Sequence, residues 1–266
     1  MEKDSTRAVL ERERAYHDHL YSGFAQQHFA RPAVRALRAH MVSRIRNLTG
    51  AGPATRVLSL GCGIGDTELL LAPHVGEVAG IDLSPAAVRQ ARADAARLGI
   101  ANARFVEGAL ESAAGRFDLI VAIFFLHHLP DALLDEAPRR IRALLAPGGV
   151  FYSLDPNRWR LSGAVGSLVV PGLMRKYQTP DERELDPGRT ADRFRAAGFE
   201  TRMFYYDFLS SPLAGLLPGW KAGYQATRAV DNLAVRLPLI RRAGSNFEIL
   251  AATPSPEPRT APDTSA

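Results

Sequence analysis

Residues 57–66 read VLSLGCGIGD. An apolar, strand-forming run ends in glycine at every second position, Gly61, Gly63 and Gly65. Glycine costs backbone entropy, so a run of it marks a tight turn or a place where a ligand lies against bare backbone. The rhythm on either side says which kind of fold holds this turn. RVLSL (56–60) is a short strand, and a helix follows through Thr67–Ala72 and stops at Pro73. GEVAGIDL (76–83) is the next strand. Ser84-Pro85 starts a helix, with serine as the cap and proline in the first turn. Ala87, Val88, Ala91, Ala95 and Leu98 line its inner face, and Gly99 closes it.

The alternation continues. ARFV (103–106) is a strand, and FDLIVAIFFL (117–126) is apolar enough to be a strand buried on both faces. A helical segment follows, broken and restarted at Pro138 and ended by Pro147-Gly148-Gly149, and VFYSL (150–154) is the next strand. Strand and helix in turn mean right-handed crossovers and a parallel sheet. Further on, 190–197 reads as a helix, with strands at FETRMFYY (199–206) and NFEILAA (246–252). In such a sheet ligands bind beyond the carboxyl ends of the strands, where the strand order reverses. Asp82 ends the second strand 21 residues after Gly61, placed to accept the ribose hydroxyls of a nucleoside. The dinucleotide fingerprint G-x-G-x-x-G does not fit, because the third glycine comes one place early and Asp66 stands where its last small residue belongs.

Composition bounds the rest. The chain has 266 residues, 46% hydrophobic and 23% charged, enough for one domain with elaborations. The net charge of +5 comes almost wholly from arginine, the lysines being Lys3, Lys176 and Lys221. No basic run is interleaved with aromatics, so no nucleic-acid partner is expected. Cys62 is the single cysteine, which rules out an internal disulfide and a cysteine-based zinc cluster. No metal is expected. The charged N-terminus lacks the apolar core of a secretory signal, and the expected location is cytoplasmic.

Three regions are expected: an N-terminal helical cover at 1–52, a cofactor-binding domain at 53–253, and a disordered Pro/Ser/Thr-rich tail at 254–266. In the cover, Val34, Leu37, Met41, Ile45 and Leu48 form one helical face. The domain carries two apolar insertions, 159–177 and 208–242. The second holds Lys221, Arg228, Arg236, Arg241 and Arg242 against one acid, Asp231. Such segments suit a cap over a pocket, a dimer contact, or peripheral contact with the inner face of an anionic membrane.

VLSLGCGIG, then GIDLS, FVEGALES, FDLIVAIFFLHHL and LLAPGGVFYSLDPN, in this order, resemble the class I S-adenosylmethionine-dependent methyltransferases. The similarity covers roughly residues 55–155 and is greatest to the group containing ubiquinone, menaquinone and small-molecule methyltransferases. It implies a Rossmann-like, doubly wound α/β fold, a mostly parallel seven-stranded sheet with its last strand reversed. NFEILAA is the natural reversed strand. It implies S-adenosylmethionine as cofactor, cradled by Gly61, Cys62, Gly63 and Gly65, with Asp82 on the ribose and Leu83, Gly108, Ala109 and Leu110 around the adenine. Ile123 and Phe124 would lie beside the sulfonium. His127 and His128 are the candidate catalytic groups. Tyr16 and Tyr21 are candidates for the cofactor's carboxylate, against a bland reading as inward-facing aromatics.

The chain departs from the family at Ser59 and Ala109, where many members carry acids; Asp66 is expected to restore part of the first charge. The implied function is methyl transfer to a small, hydrophobic or lipid-like acceptor. Two alternatives stand beside it, a non-catalytic or nucleic-acid-associated module that kept the fold and an NAD-type oxidoreductase. An Asn-Pro-Pro-aromatic signature for methylating a base nitrogen is absent, since the chain reads FFLHHLP there.

Overall fold

The computed structural model describes residues 2–21, 28, 30–161 and 183–254. The strands are β1 Arg56–Leu60, β2 Glu77–Asp82, β3 Ala103–Glu107, β4 Phe117–Ile123, β5 Leu145–Pro156, β6 Glu200–Asp207 and β7 Asn246–Ala252. They form one sheet in the order β3-β2-β1-β4-β5-β7-β6. Strands β1 to β5 pair in parallel, and β7 runs antiparallel to both β5 and β6. The order reverses at β1, between β2 and β4, beneath the glycine turn. The reversed strand is NFEILAA.

The helices are α1 Glu2–Tyr21, α2 Pro32–Thr49, α3 Glu68–Leu71, α4 Pro85–Leu98, α5 Asp131–Leu144, α6 Pro187–Ala196, α7 Ser210–Leu216 and α8 Lys221–Ala234. Successive strand residues point to opposite faces, so β4 feeds two cores at once. Ile120 and Ala122 join Leu134, Ala137 and Ile141 of α5 and Phe194 of α6. Leu119, Val121 and Ile123 join Leu37, Met41 and Ile45 of α2. The α2 helix is therefore part of the sheet's apolar layer, and α1 is the element of 1–52 that covers the site.

Five sequence expectations change. Leu98, read onto the inner face of α4, is exposed, since that face ends at Ala95 after Ala87, Val88 and Ala91. β4 ends at Ile123 rather than 126, because Phe124 has φ 54, a left-handed conformation that breaks the strand. Helix α5 runs unbroken through Pro138, whose ring is buried with Leu134, Ala137 and Ile141; packing offsets the lost backbone bond. Pro147-Gly148-Gly149 lies inside β5, where the register slips between Phe117 and Leu119 of its neighbour. That stretch is a bulge rather than a turn before the strand. The helix read at 190–197 starts earlier, at Pro187, because Asp186 accepts from the Arg189 N–H and caps it.

The insertion 208–242 forms α7 and α8. Asp231 of α8 accepts from the N–H groups of Leu209 and Ser210 and caps α7, while Arg228 donates to the Tyr206 carbonyl at 2.7 Å. Ala214 and Tyr224 pack into the α2 layer. Of the insertion 159–177, residues 162–177 lie outside the described residues, as does the tail from 255. No helix among the described residues is long and apolar enough to cross a membrane.

Candidate active site

Two adjoining clefts open at the carboxyl ends of β1, β2 and β4. One, of about 770 Å³, is lined by Asp82, Leu83, Gly108, Ala109 and Leu110 under Glu13 of α1. The other, of about 790 Å³, is lined by Cys62, Gly63, Asp66, Glu68, Ile123 and Arg38. Gly61, Phe124, Tyr21, His17 and His128 line both. No residue of 208–242 lines either cleft, so that insertion is not the lid of these clefts.

The glycine turn divides its labour. Gly61 and Gly63 have φ 64 and 52 and face the clefts. A Cβ on Gly63 would stand 2.7 Å from the Tyr21 hydroxyl, and one on Gly61 would stand 2.6 Å from the Phe125 ring. Gly65, with φ 74, lines neither cleft; a Cβ there would press on Phe105 and Ala91 at 2.9 and 3.1 Å. It is glycine so that α4 and β3 can close on the turn. Cys62 is buried, its Sγ 3.7 Å from the Gly63 carbonyl, and burial pushes its thiol up. It lines the second cleft as a small, inert wall.

Asp82 locks the turn. Its Oδ2 accepts from the Gly63 N–H at 2.7 Å and its Oδ1 from the Ser84 N–H at 2.9 Å. Burial raises its pKa, and these two bonds oppose the rise. A carboxylate offers about four lone-pair sites, so two remain for a ligand's hydroxyls.

Helix α1 is pinned over this edge. Arg14 pairs with Glu107 at the end of β3. Asp18 accepts from the Ser84 hydroxyl at 2.5 Å and the Ala86 N–H at 3.1 Å, at the start of α4. These contacts bring His17 and Tyr21 over the glycines. Burial pushes the Tyr21 phenol well above its usual range, keeping it a neutral donor. Tyr16 meets His17 edge-on and lines neither cleft.

Ser59 is answered from α3. Its hydroxyl donates to Glu68 Oε1 at 2.6 Å. The other oxygen, Oε2, is buried and has no hydrogen-bond partner among the described residues. Burial, reinforced by nearby Asp66, pushes the Glu68 carboxyl up to about 7. Asp66, expected to replace the missing charge, is instead taken up by Arg38 at 2.7 Å. The spare carboxylate oxygen in the cleft therefore belongs to Glu68.

The two histidines part company. His127 is 3% exposed and lines neither cleft. Its Nδ1 lies 3.0 Å from Asp155 Oδ1. Burial pushes His127 down to about 3 and Asp155 up to about 7. The imidazole of this buried pair is thus held neutral, and Asp155 also accepts from the His127 backbone N–H and fixes the turn after β4. His128 faces both clefts, with Nδ1 3.0 Å from Glu13 Oε2. Sequence reasoning missed Glu13, His17, Arg38 and Glu68. None sits in a motif, and only the docking of α1, α2 and α3 brings them to the turn.

A doubly wound sheet whose glycine turn and strand-end acid open on a double cleft defines a protein that binds a nucleoside-bearing cofactor. A family model described as a methyltransferase domain matches residues 57–149. A ubiquinone biosynthesis O-methyltransferase of Bordetella avium is 31% identical over 163 residues, 59% of this chain and 66% of that protein. One of Xanthomonas euvesicatoria is 30% identical over 174 residues, 63% of this chain and 70% of that protein. The crystal structure of magnesium protoporphyrin IX methyltransferase from Synechocystis with bound SAH shares the fold at a TM-score of 0.57 and 15% identity. It covers 87% of this chain and 88% of that one. Among other curated relatives the match spans 51% and 40% of their length. The chain belongs to the class I S-adenosylmethionine-dependent methyltransferases, and S-adenosylmethionine is the cofactor of that class.

Proposed function

We propose that this protein transfers the methyl group of S-adenosylmethionine to a small, apolar acceptor. The carrying observation is Glu68, which lines the second cleft and has one buried oxygen with no hydrogen-bond partner among the described residues, with Asp82 and its two spare lone-pair sites in the first cleft. Glu68 suits an ammonium group and Asp82 a ribose. Gly61 and Gly63 present bare backbone to the amino-acid end of the cofactor, and Arg38 and Tyr21 supply donors for its carboxylate. Leu83, Gly108, Ala109 and Leu110 form the apolar slot for the adenine, whose amino group Ala109 leaves to backbone partners. When bound, the cofactor supplies a methyl group activated by a sulfonium. Ile123 and Phe124 line the cleft there and exclude water from that point. The protein's main contribution is alignment.

Of the two histidines, His128 acts on the acceptor, and His127 is a positioning residue held by Asp155. Replacing His128 with alanine lowers kcat with little change in cofactor affinity. Replacing Asp82 with alanine weakens binding of S-adenosylmethionine by at least about tenfold, the loss of one or more hydrogen bonds to a charged group. Unchanged affinity in Asp82→Ala would sink this reading of the clefts.

The acceptor class follows from the second insertion. Leu209, Leu216, Leu217, Trp220, Leu233 and Leu239 are all large, apolar and exposed. Lys221, Arg236, Arg241 and Arg242 stand among them, and the one acid, Asp231, is buried. An apolar patch with a cationic rim fits an anionic membrane surface. A protein resting there draws a lipid-soluble acceptor from the bilayer.

A further inference from the structure

The sequence reading expects no metal, yet the fold assembles a set of metal-ligating side chains from two distant segments. Glu13 and His17 sit four residues apart on one face of α1, and His128 comes from the turn after β4. The three ligating atoms lie within 4.8 Å of one another. Glu13 is 4% exposed, and its Oε2 is 3.0 Å from His128 Nδ1. A zinc ion with bonds of about 2.0–2.1 Å to nitrogen and oxygen holds its ligands roughly 3.3 Å apart, so modest side-chain rotation closes the set. The Nδ1–H of His17 donates to the Glu13 carbonyl at 2.9 Å. Such a bond to a backbone carbonyl fixes a ligating histidine's tautomer and leaves Nε2 with its lone pair. The two imidazole planes stand at 82° with centroids 5.0 Å apart, so the rings are not stacked.

We propose that Glu13, His17 and His128 bind a divalent transition-metal ion at the junction of the two clefts. Two nitrogens and one carboxylate favour zinc, or another first-row ion, over magnesium, which prefers oxygen ligands. All three residues line the first cleft and the two histidines line the second as well, so the remaining coordination positions open onto the junction of the clefts. A hydroxyl acceptor bound there becomes more acidic and loses its proton to water. Its oxygen then forms the new O–CH3 bond as the C–S bond breaks, the electron pair going to sulfur. This use of the ion rests on the methyltransferase reading; the binding of the ion does not.

The test is a titration of the chelator-treated full-length protein with Co2+, read by visible absorption. One equivalent of Co2+ should give ligand-field bands that Zn2+ abolishes by displacement. Glu13→Gln, His17→Ala and His128→Ala should each weaken binding by at least about tenfold. Calorimetry of the same samples with S-adenosylhomocysteine reports the cofactor cleft separately and shows that the variants are folded. Absence of saturable bands in the wild-type protein at millimolar Co2+ overturns the proposal, as does affinity unchanged in both histidine variants.

Discussion

At the residue scale the most informative side chain is Glu68. Its carboxyl sits at about 7 when folded, against 4.5 for an ordinary glutamate. The folded state thus holds the proton more tightly than the unfolded one. The stability this contributes is complete below about pH 4.5 and is lost as pH rises through about 7. Glu68→Gln removes the carboxyl, so its stability should gain on the wild type as pH rises through that window, measured by chemical denaturation. Cofactor affinity should run the opposite way. An ammonium partner needs the ionised carboxylate, so wild-type affinity rises from pH 6 to pH 8 and Glu68→Gln flattens the rise. Gly63→Val is a second test at this scale. It forces a β-branched residue into φ 52 and drives a side chain at the Tyr21 hydroxyl. Cofactor binding should be lost while the far-ultraviolet circular dichroism remains.

At the scale of elements the site depends on where α1 lies. The helix reaches the sheet edge through polar contacts, and Asp18 ties it to the first turn of α4. Asp18→Ala should raise hydrogen exchange across α1 and weaken cofactor binding, with β1 and β4 as protected as before. Equal protection of α1 in both proteins would mean that Asp18 does not hold the helix. The same distinction explains what was legible in the sequence. β1, β2, the capped α4 and the NFEILAA strand were readable because period and cap residues are local signals, and the reversal of that strand was implied by the resemblance to the methyltransferases. So were Gly61, Gly63 and Asp82, which one turn and one strand end bring together. Glu68, Arg38, Glu13 and His17 were not, since their role depends on helices docking from outside the motif. Gly65 looked like its neighbours in sequence, and only the Phe105 ring against it shows that it serves packing. Pro138 looked like a break because the buried face that carries the helix through it is a tertiary property.

At the scale of the whole molecule two features carry the account. One is the double cleft under α1. The other is the exposed apolar surface of α7, α8 and the residues after them. Sedimentation with vesicles should show binding to those containing phosphatidylglycerol and little to neutral phosphatidylcholine. Replacing Trp220 and Leu239 together by serine should reduce that binding several-fold, and added salt should weaken it through the arginines. Equal binding of wild type and double variant would remove the membrane from the account.

The central claim is that the clefts hold S-adenosylmethionine, and calorimetric titration tests it most directly. The wild-type protein should bind S-adenosylmethionine and S-adenosylhomocysteine one to one, with NADH giving no heat and Asp82→Ala binding both at least about tenfold more weakly. No binding of either adenosyl compound, or unchanged affinity in Asp82→Ala, would contradict it.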